Sequence, residues 1–293
     1  MLTHHYSAPT PPKRVVIIGA GGFVGAAIAK ELTKCAIPIL PLTRNEVDLL
    51  APNCTEVLRT RLRPDDAVVF VAAVAPAKNT AQLMVNLRMA EAASAALAEI
   101  PPAHLLYISS DAVYADDANP TNERSPIAPS TIHGMMHAAR ELIFRTEYRG
   151  PFAALRPTLI YGARDPHSGY GPNRFMRQAA KDGSISIFGE GEEKRDHIAV
   201  DDVARLAAMI LLHHSVGALN AVTGVATTFH DIAHIVAAQF SPRATVTSVP
   251  RPGPRPHLLH RFFDIRACYK AFPDFRFEPL ADGIARMARE RIA

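Results

Sequence analysis

Apolar and polar positions along this chain alternate between short β-branched runs and longer segments with helical spacing. KRVVII (13–18) predicts a buried strand that runs into the glycine turn GAGG (19–22) and then a helix from Phe23. ILPLT (39–43) and AVVFVAAV (67–74) predict the second and third strands, separated by a polar, helix-like stretch around 53–63. The alanine-rich segment from Thr80 to Glu99 has helical spacing, and HLLYISS (104–110) is another buried strand. A helix over about 131–149 then leads to FAALRPT (152–158). Strands alternating with helices imply crossover units and a doubly wound parallel sheet covered on both faces, hence an α/β fold. An all-helical bundle would need the Val/Ile runs to be helical, and they are too short and too often bounded by Gly or Pro.

Beyond residue 165 the texture changes. GYGPNRF (169–175) reads as a loop entering a helix, SISIF (184–188) as a strand and GEGEEKRD (189–196) as a charged loop. DDVARLAAMILLHH (201–214) is an amphipathic helix with acidic residues at its start, where they suit the helix dipole, and His213 and His214 at its end. PRPGPRP (250–256) must be loop. The expectation is a first domain over 13–165 that takes back 197–230, with a smaller, loop-rich C-terminal lobe from 166–196 and 231–293. No internal repeat is visible.

Composition narrows the class. The 293 residues are 48% hydrophobic and 20% charged, enough for a sizeable core. Lys+Arg 32 against Asp+Glu 28 gives +4 with the charges scattered, which argues against a nucleic-acid or membrane-surface partner. The uncharged stretch from Val15 to Ala29 carries four glycines and falls short of the ~18 apolar residues of a membrane span. Residues 1–12 lack the pattern of a signal peptide and read as a flexible, proline-rich lead. Cys35, Cys54 and Cys268 are few, far apart and without CxxC spacing, as expected of a cytoplasmic chain without disulfides or zinc knuckles.

The chemistry begins at the glycine turn. Gly19, Gly22 and Gly25 suit a tight strand-to-helix turn, close approach of backbone N–H groups to a pyrophosphate, and close helix–strand packing, in that order. The triplet follows a strand and opens a helix, which is the context a dinucleotide site requires. Arg44, at the end of the second strand, stands where an acidic residue would select NAD; its guanidinium suits the 2′-phosphate of NADP. The alternative is NAD, with Glu46 turned toward the ribose.

With these residues in place the chain resembles an extended short-chain dehydrogenase/reductase of the NAD-dependent epimerase/dehydratase family, from Lys13 to the C-terminus. The resemblance rests on the G-x-x-G-x-x-G turn, LTRNEVDLL (42–50), RPDDAVVFVAA (63–73), VNLRMAEAA (85–93) with its structural Asn86, ISSDAVY (108–114), LRPTLIYG (155–162), GPNRF (171–175), IFGEGEEKRDHIAVDDVA (187–204) and LNAVTG (219–224). It implies a Rossmann-type fold and a nucleotide-sugar substrate. It puts Phe23, Val24, Ala72 and Ala73 beside the cofactor with the glycines. It puts Ser110 and Asp111 in the catalytic Ser segment, and Asn173, Arg195 and, less securely, Arg251 at the sugar-nucleotide diphosphate. By analogy it also implies a homodimer built on the 80–98 and 131–149 helices.

One departure matters most. The family's chemistry uses a Tyr and a Lys four residues apart on one helix. Here the matching segment PSTIHGMMHAARE (129–141) keeps Pro129, Gly134 and Glu141 but has His133 in the Tyr place and His137 in the Lys place. An imidazole titrates near neutrality, so His133 is expected to act as acid/base and His137 to hydrogen-bond the cofactor ribose without a permanent charge. A metal held by the two histidines is not expected, because no third ligand accompanies them. Ala112 follows Asp111 where dehydratases carry a Glu, which argues against dehydration by that route. Tyr114 and Tyr161 are expected to pack. The competing expectation is a non-catalytic dinucleotide-binding sensor or scaffold that has lost its catalytic pair.

Overall fold

The computed structural model describes residues 1–116, 119–253 and 258–292. In chain order it forms β1 (Leu2–His4), β2 (Val15–Ile18), α1 (Phe23–Lys34), β3 (Ile39–Leu42), α2 (Cys54–Arg61), β4 (Ala67–Phe70), α3 (Thr80–Glu99) and β5 (His104–Ile108). Then come α4 (Ile132–Glu147), β6 (Phe152–Pro157), β7 (Leu159–Tyr161), α5 (Pro172–Asp182), β8 (Ser184–Phe188), β9 (Lys194–Ala199), α6 (Val200–Leu212) and β10 (Ser215–Ala221). β11 (Ala226–Thr228), α7 (Phe229–Ala237), β12 (Thr245–Val249), α8 (Arg266–Ala271) and α9 (Leu280–Ile292) complete the chain. None of these helices is long and apolar enough to cross a membrane.

The main sheet has the order β1-β10-β6-β5-β4-β2-β3 and is parallel except for β1. From β2 the chain winds one way to β3 and the other way to β4, so a crevice opens at the carboxyl ends of β2 and β4. β2, β4 and β5 are buried at every position because helices cover both faces. Val15 and Ile17 pack with Leu206 and Ile210 of α6 on one face; Val16 and Ile18 pack with Ala93 and Leu97 of α3 on the other. A third cluster, built on Phe175, Ile185, Phe229 and Ile284, forms the core of the C-terminal elements.

Two expectations need correction. Residues 1–12 do not start as a flexible lead: Leu2–His4 pairs antiparallel with β10, and His4 bonds the Ser215 hydroxyl through Nδ1 at 2.7 Å and meets the Ala271 carbonyl through Nε2 at 2.9 Å. Nor is 189–196 all loop, because Lys194, Arg195 and Asp196 open β9. Of the PRPGPRP segment, residues 254–256 lie outside the described residues, and 250–253 belong to no helix or strand.

α4 is fixed in place by a buried ion pair. Arg156 of β6 donates to Glu141 through Nε at 2.8 Å and Nη2 at 2.7 Å, with both side chains nearly inaccessible. Ser109 donates to the same carboxylate at 2.7 Å; Arg156 also reaches Tyr114, whose hydroxyl donates to Asn220 at 2.7 Å. A buried charge left alone costs more than the pair contributes. Glu141→Ala is therefore expected to lower unfolding stability by about 3–5 kcal/mol, with part recovered in Glu141→Leu/Arg156→Met, both read by urea denaturation.

His104, at the start of β5, stacks on His214 with ring centroids 4.6 Å apart and meets the Ser215 carbonyl through Nε2 at 2.8 Å. Burial, and then the charge of His214, push its pKa down to about 4. An unfolded histidine titrates near ~6.5, so below that pH the unfolded chain takes up a proton that the folded chain refuses. The contribution is complete above pH ~6.5 and falls away as the pH drops toward the folded pKa, by up to about 3 kcal/mol. Denaturation midpoints are thus expected to fall across that window, and His104→Asn to fall less steeply; a parallel pH profile would remove His104 from the account.

Candidate active site

The glycine turn is built by steric necessity. Gly19 has φ +102° and its Cα faces the Ala72 backbone, so a Cβ there would lie 2.5 Å from the Ala72 nitrogen. A Cβ on Gly25 would lie 2.2 Å from the Gly19 carbonyl oxygen, so helix and turn touch only because both residues are glycine. α1 has Gly22 at its N-cap, so no side chain caps it, and its first turn holds no acidic residue. Its first N–H groups therefore remain for an external acceptor. Gly22, Phe23, Val24 and Gly25 line one end of a cavity of about 900 Å³.

Ala73 lines that cavity as well, while Ala72 abuts Gly19. Asn86 lies buried behind this edge, its amide bonded to both the N–H and the C=O of Val74 at 3.0 Å. Arg44 stands beyond the cavity wall, its side chain 80% exposed and 3.4 Å from Asp48. Glu46 is exposed as well and turns back on its own loop: its carboxylate accepts from the Thr43 N–H at 2.8 Å and from the Thr43 hydroxyl, which holds its pKa below the usual carboxylate value.

At the middle of the cavity lie Ser110, Asp111, His133 and His137. Ser110 follows β5 and caps a short turn, accepting from the Ala112 N–H at 3.2 Å. Thr131 caps α4 by accepting from the Gly134 N–H at 3.1 Å. A Cβ on Gly134 would sit 2.0 Å from the Ala112 carbonyl oxygen, so the glycine lets α4 press directly against the Ser110–Ala112 segment. That contact brings His133 beside the serine segment. The rings of His133 and His137 meet edge-on with centroids 4.7 Å apart. Burial, then the charge of His167, lower the pKa of His133; burial, then His133 and Arg140, lower that of His137 well below normal. Both are neutral at pH 7. His133 Nδ1 is buried with no partner among the described residues.

Asn173, Arg195 and Arg251 line the same cavity, Asn173 through Gly162 on the side where Phe23 enters it. Each is already engaged. Asn173 accepts from the Gly162 N–H at 3.2 Å and donates to Asp165 at 2.6 Å. Arg195 donates to the carbonyls of Leu259 at 3.0 Å and Leu258 at 2.7 Å, and Arg251 pairs with Glu193. Asp196 accepts from Thr223 and Gly224, yet burial pushes its pKa up to about 6. Arg261, which sequence reasoning passed over, also lines the cavity; it donates to the Asp111 carbonyl and to Asp116, each at 3.1 Å. His197 is buried in the same wall against Phe229, its pKa pushed down to about 4 by burial. Tyr107 and Arg140, behind His137, were missed too: a Tyr inside a buried strand run and an Arg on a helix carry no signal of a site.

Comparisons with known proteins give the family and the fold. Residues 15–223 match the model of the NAD dependent epimerase/dehydratase family. The chain is 26% identical to an ADP-L-glycero-D-manno-heptose-6-epimerase of Alkalilimnicola ehrlichii, covering 92% of this chain and 95% of the other. Its fold is similar to that of a GDP-L-fucose synthetase from Naegleria fowleri bound to NADP (TM-score 0.85, 15% identity, 99% and 97% of the two chains covered). It is also similar to that of a UDP-N-acetylglucosamine 4-epimerase from Bacillus cereus (TM-score 0.82, 21% identity, 94% and 96% covered). With the glycine turn, the serine segment and the match running through most of the sheet, the chain belongs to the NAD dependent epimerase/dehydratase family.

Proposed function

We propose that this protein is an NADP-linked epimerase or reductase of a nucleotide-linked sugar, with His133 as its acid/base group. The observation that carries the reading is the shared cavity: the open N-terminus of α1, Ser110, His133 and His137 line one continuous space together with Arg195, Arg251 and Arg261. The names of the relatives, which speak of ADP-, UDP- and GDP-linked sugars, support the substrate class.

The residues present fit a dinucleotide. The bare start of α1 leaves backbone N–H groups for a pyrophosphate, and Arg44 offers a guanidinium to a 2′-phosphate. A bound nicotinamide would supply hydride acceptance and donation. The chain's own part is the proton. Neutral His133 accepts a proton from the sugar hydroxyl through Nε2 as that oxygen becomes a carbonyl, and returns it on reduction. Ser110 donates a hydrogen bond to the same oxygen. Asp111, beside Arg261 and Thr158, stays a fixed acceptor for a neighbouring hydroxyl. A second reading, dinucleotide binding without turnover, is favoured by the buried Nδ1 of His133, which no hydrogen bond from the described residues fixes.

Ultraviolet absorbance of the purified protein for carried cofactor, then a sugar-nucleotide panel followed at the reduced-nicotinamide band, separates the two readings. His133→Phe is expected to abolish turnover and leave NADPH affinity within about twofold. In the unsubstituted protein the acid limb of the rate profile is expected below pH ~6.5, because the His133 pKa is lowered. Normal turnover by His133→Phe would assign the proton to another group. Arg44→Ala is expected to weaken NADPH by at least about tenfold and NADH hardly at all, by titration; equal losses would remove the NADP preference.

A further inference from the structure

Behind the two histidines lies a polar pair that neither the glycine turn nor the serine segment requires. The Tyr107 hydroxyl of β5 is 2.6 Å from His137 Nδ1, and the tyrosine is wholly buried. Burial pushes the phenol pKa well above its usual value, so the hydroxyl keeps its proton and is the donor. Nδ1 is then the acceptor, and the proton of the neutral imidazole is on Nε2. Nε2 has no hydrogen-bond partner among the described residues, and the ring lines the cavity.

Arg140 lies one turn further along the same face of α4. It is completely buried, with its guanidinium 4.7 Å from the Phe70 ring centroid and 5.4 Å from that of Tyr107. Nη2 donates to the Ala72 carbonyl at 2.6 Å, and no carboxylate pairs with it among the described residues. An unpaired buried cation costs several kcal/mol, and an apolar side chain of that size would fill the space without the penalty. Its two outputs are specific. It adds a like charge to the burial and the neighbouring His133 that already hold the His137 pKa down, and it ties α4 to the carbonyl of the residue that abuts Gly19.

We propose that Tyr107 and Arg140 are positioning residues that hold His137 as a neutral Nε2–H imidazole, a fixed donor aimed at a ribose hydroxyl of the dinucleotide. The ribose contact rests on the proposed function; the tautomer does not. The titratable groups around the ring are Tyr107 from β5 and His133 and Arg140 from α4 itself, with Glu141 acting on Tyr107. Where the family places an ammonium, this site presents a neutral donor and keeps its permanent charge a turn deeper. The arrangement makes cofactor contact at this position insensitive to pH over the neutral range.

The test is two-bond proton–nitrogen correlation spectroscopy of the full chain labelled with ¹⁵N-histidine, with and without NADPH. His137 is expected in the Nε2–H form, without titrating between about pH 8 and 5.5. Tyr107→Phe is expected to mix the tautomers and weaken NADPH about five- to tenfold, the loss of one hydrogen bond. Arg140→Met is expected to leave the tautomer but let His137 titrate at higher pH, with Arg140→Lys restoring the resistance. An Nδ1–H or imidazolium form in the unsubstituted protein overturns the proposal without any variant having to fold, as does an unaltered His137 spectrum in a folded Tyr107→Phe. If the tautomer is as stated but NADPH does not bind, the functional reading fails and the positioning role survives without its ligand.

Discussion

The Glu141–Arg156 pair is the interaction on which the candidate active site depends. It clamps the helix that carries both histidines to a central strand of the sheet, and Ser109 adds a third contact one residue before Ser110. A two-point bond between a planar guanidinium and a carboxylate fixes rotation as well as distance. α4 therefore cannot roll on the sheet, and His133 and His137 inherit their direction from a contact one to two turns away. Gly134 completes the restraint from the other end, because the helix start presses on the Ala112 carbonyl with no room for a side chain.

Much of this was legible from the residues alone. The short, mostly apolar runs marked β2, β4 and β5 because a strand covered on both faces is buried at every position. The glycine spacing marked the first turn because only Gly19 and Gly25 tolerate the approach of Ala72 and of the turn's own carbonyl. The register of α4 was readable from Pro129, Gly134 and Glu141, which packing and the ion pair each constrain. Long-range partners were not readable. Leu2–His4 is too short to announce a strand, and its partner lies some two hundred residues away in β10. Arg195 looked like a loop cation because nothing local says that its guanidinium meets carbonyls at 258 and 259. Tyr107 and Arg140 were invisible for the same reason: each type has an ordinary role at such a position, and only the fold brings them to His137.

The charges of the cavity share one logic. Arg195 is satisfied by carbonyls, Arg251 by Glu193 and Arg261 by Asp111 and Asp116, so none presents a bare cation. An incoming diphosphate would have to compete with these partners, and binding would then be coupled to movement of the 258–259 carbonyls or of Glu193. Around His133 and His137 the same restraint holds, with two imidazoles whose pKa values burial lowers and the Arg140 guanidinium kept below the surface. The site relies on oriented hydrogen bonds more than on exposed charge.

The short β1 has a consequence beyond its three residues. Pairing antiparallel along β10, it covers a row of peptide groups that would otherwise form the bare margin of a parallel sheet. Loss of those three residues would leave β10 as an open template for strand exchange with other molecules, at the edge of the sheet opposite β3.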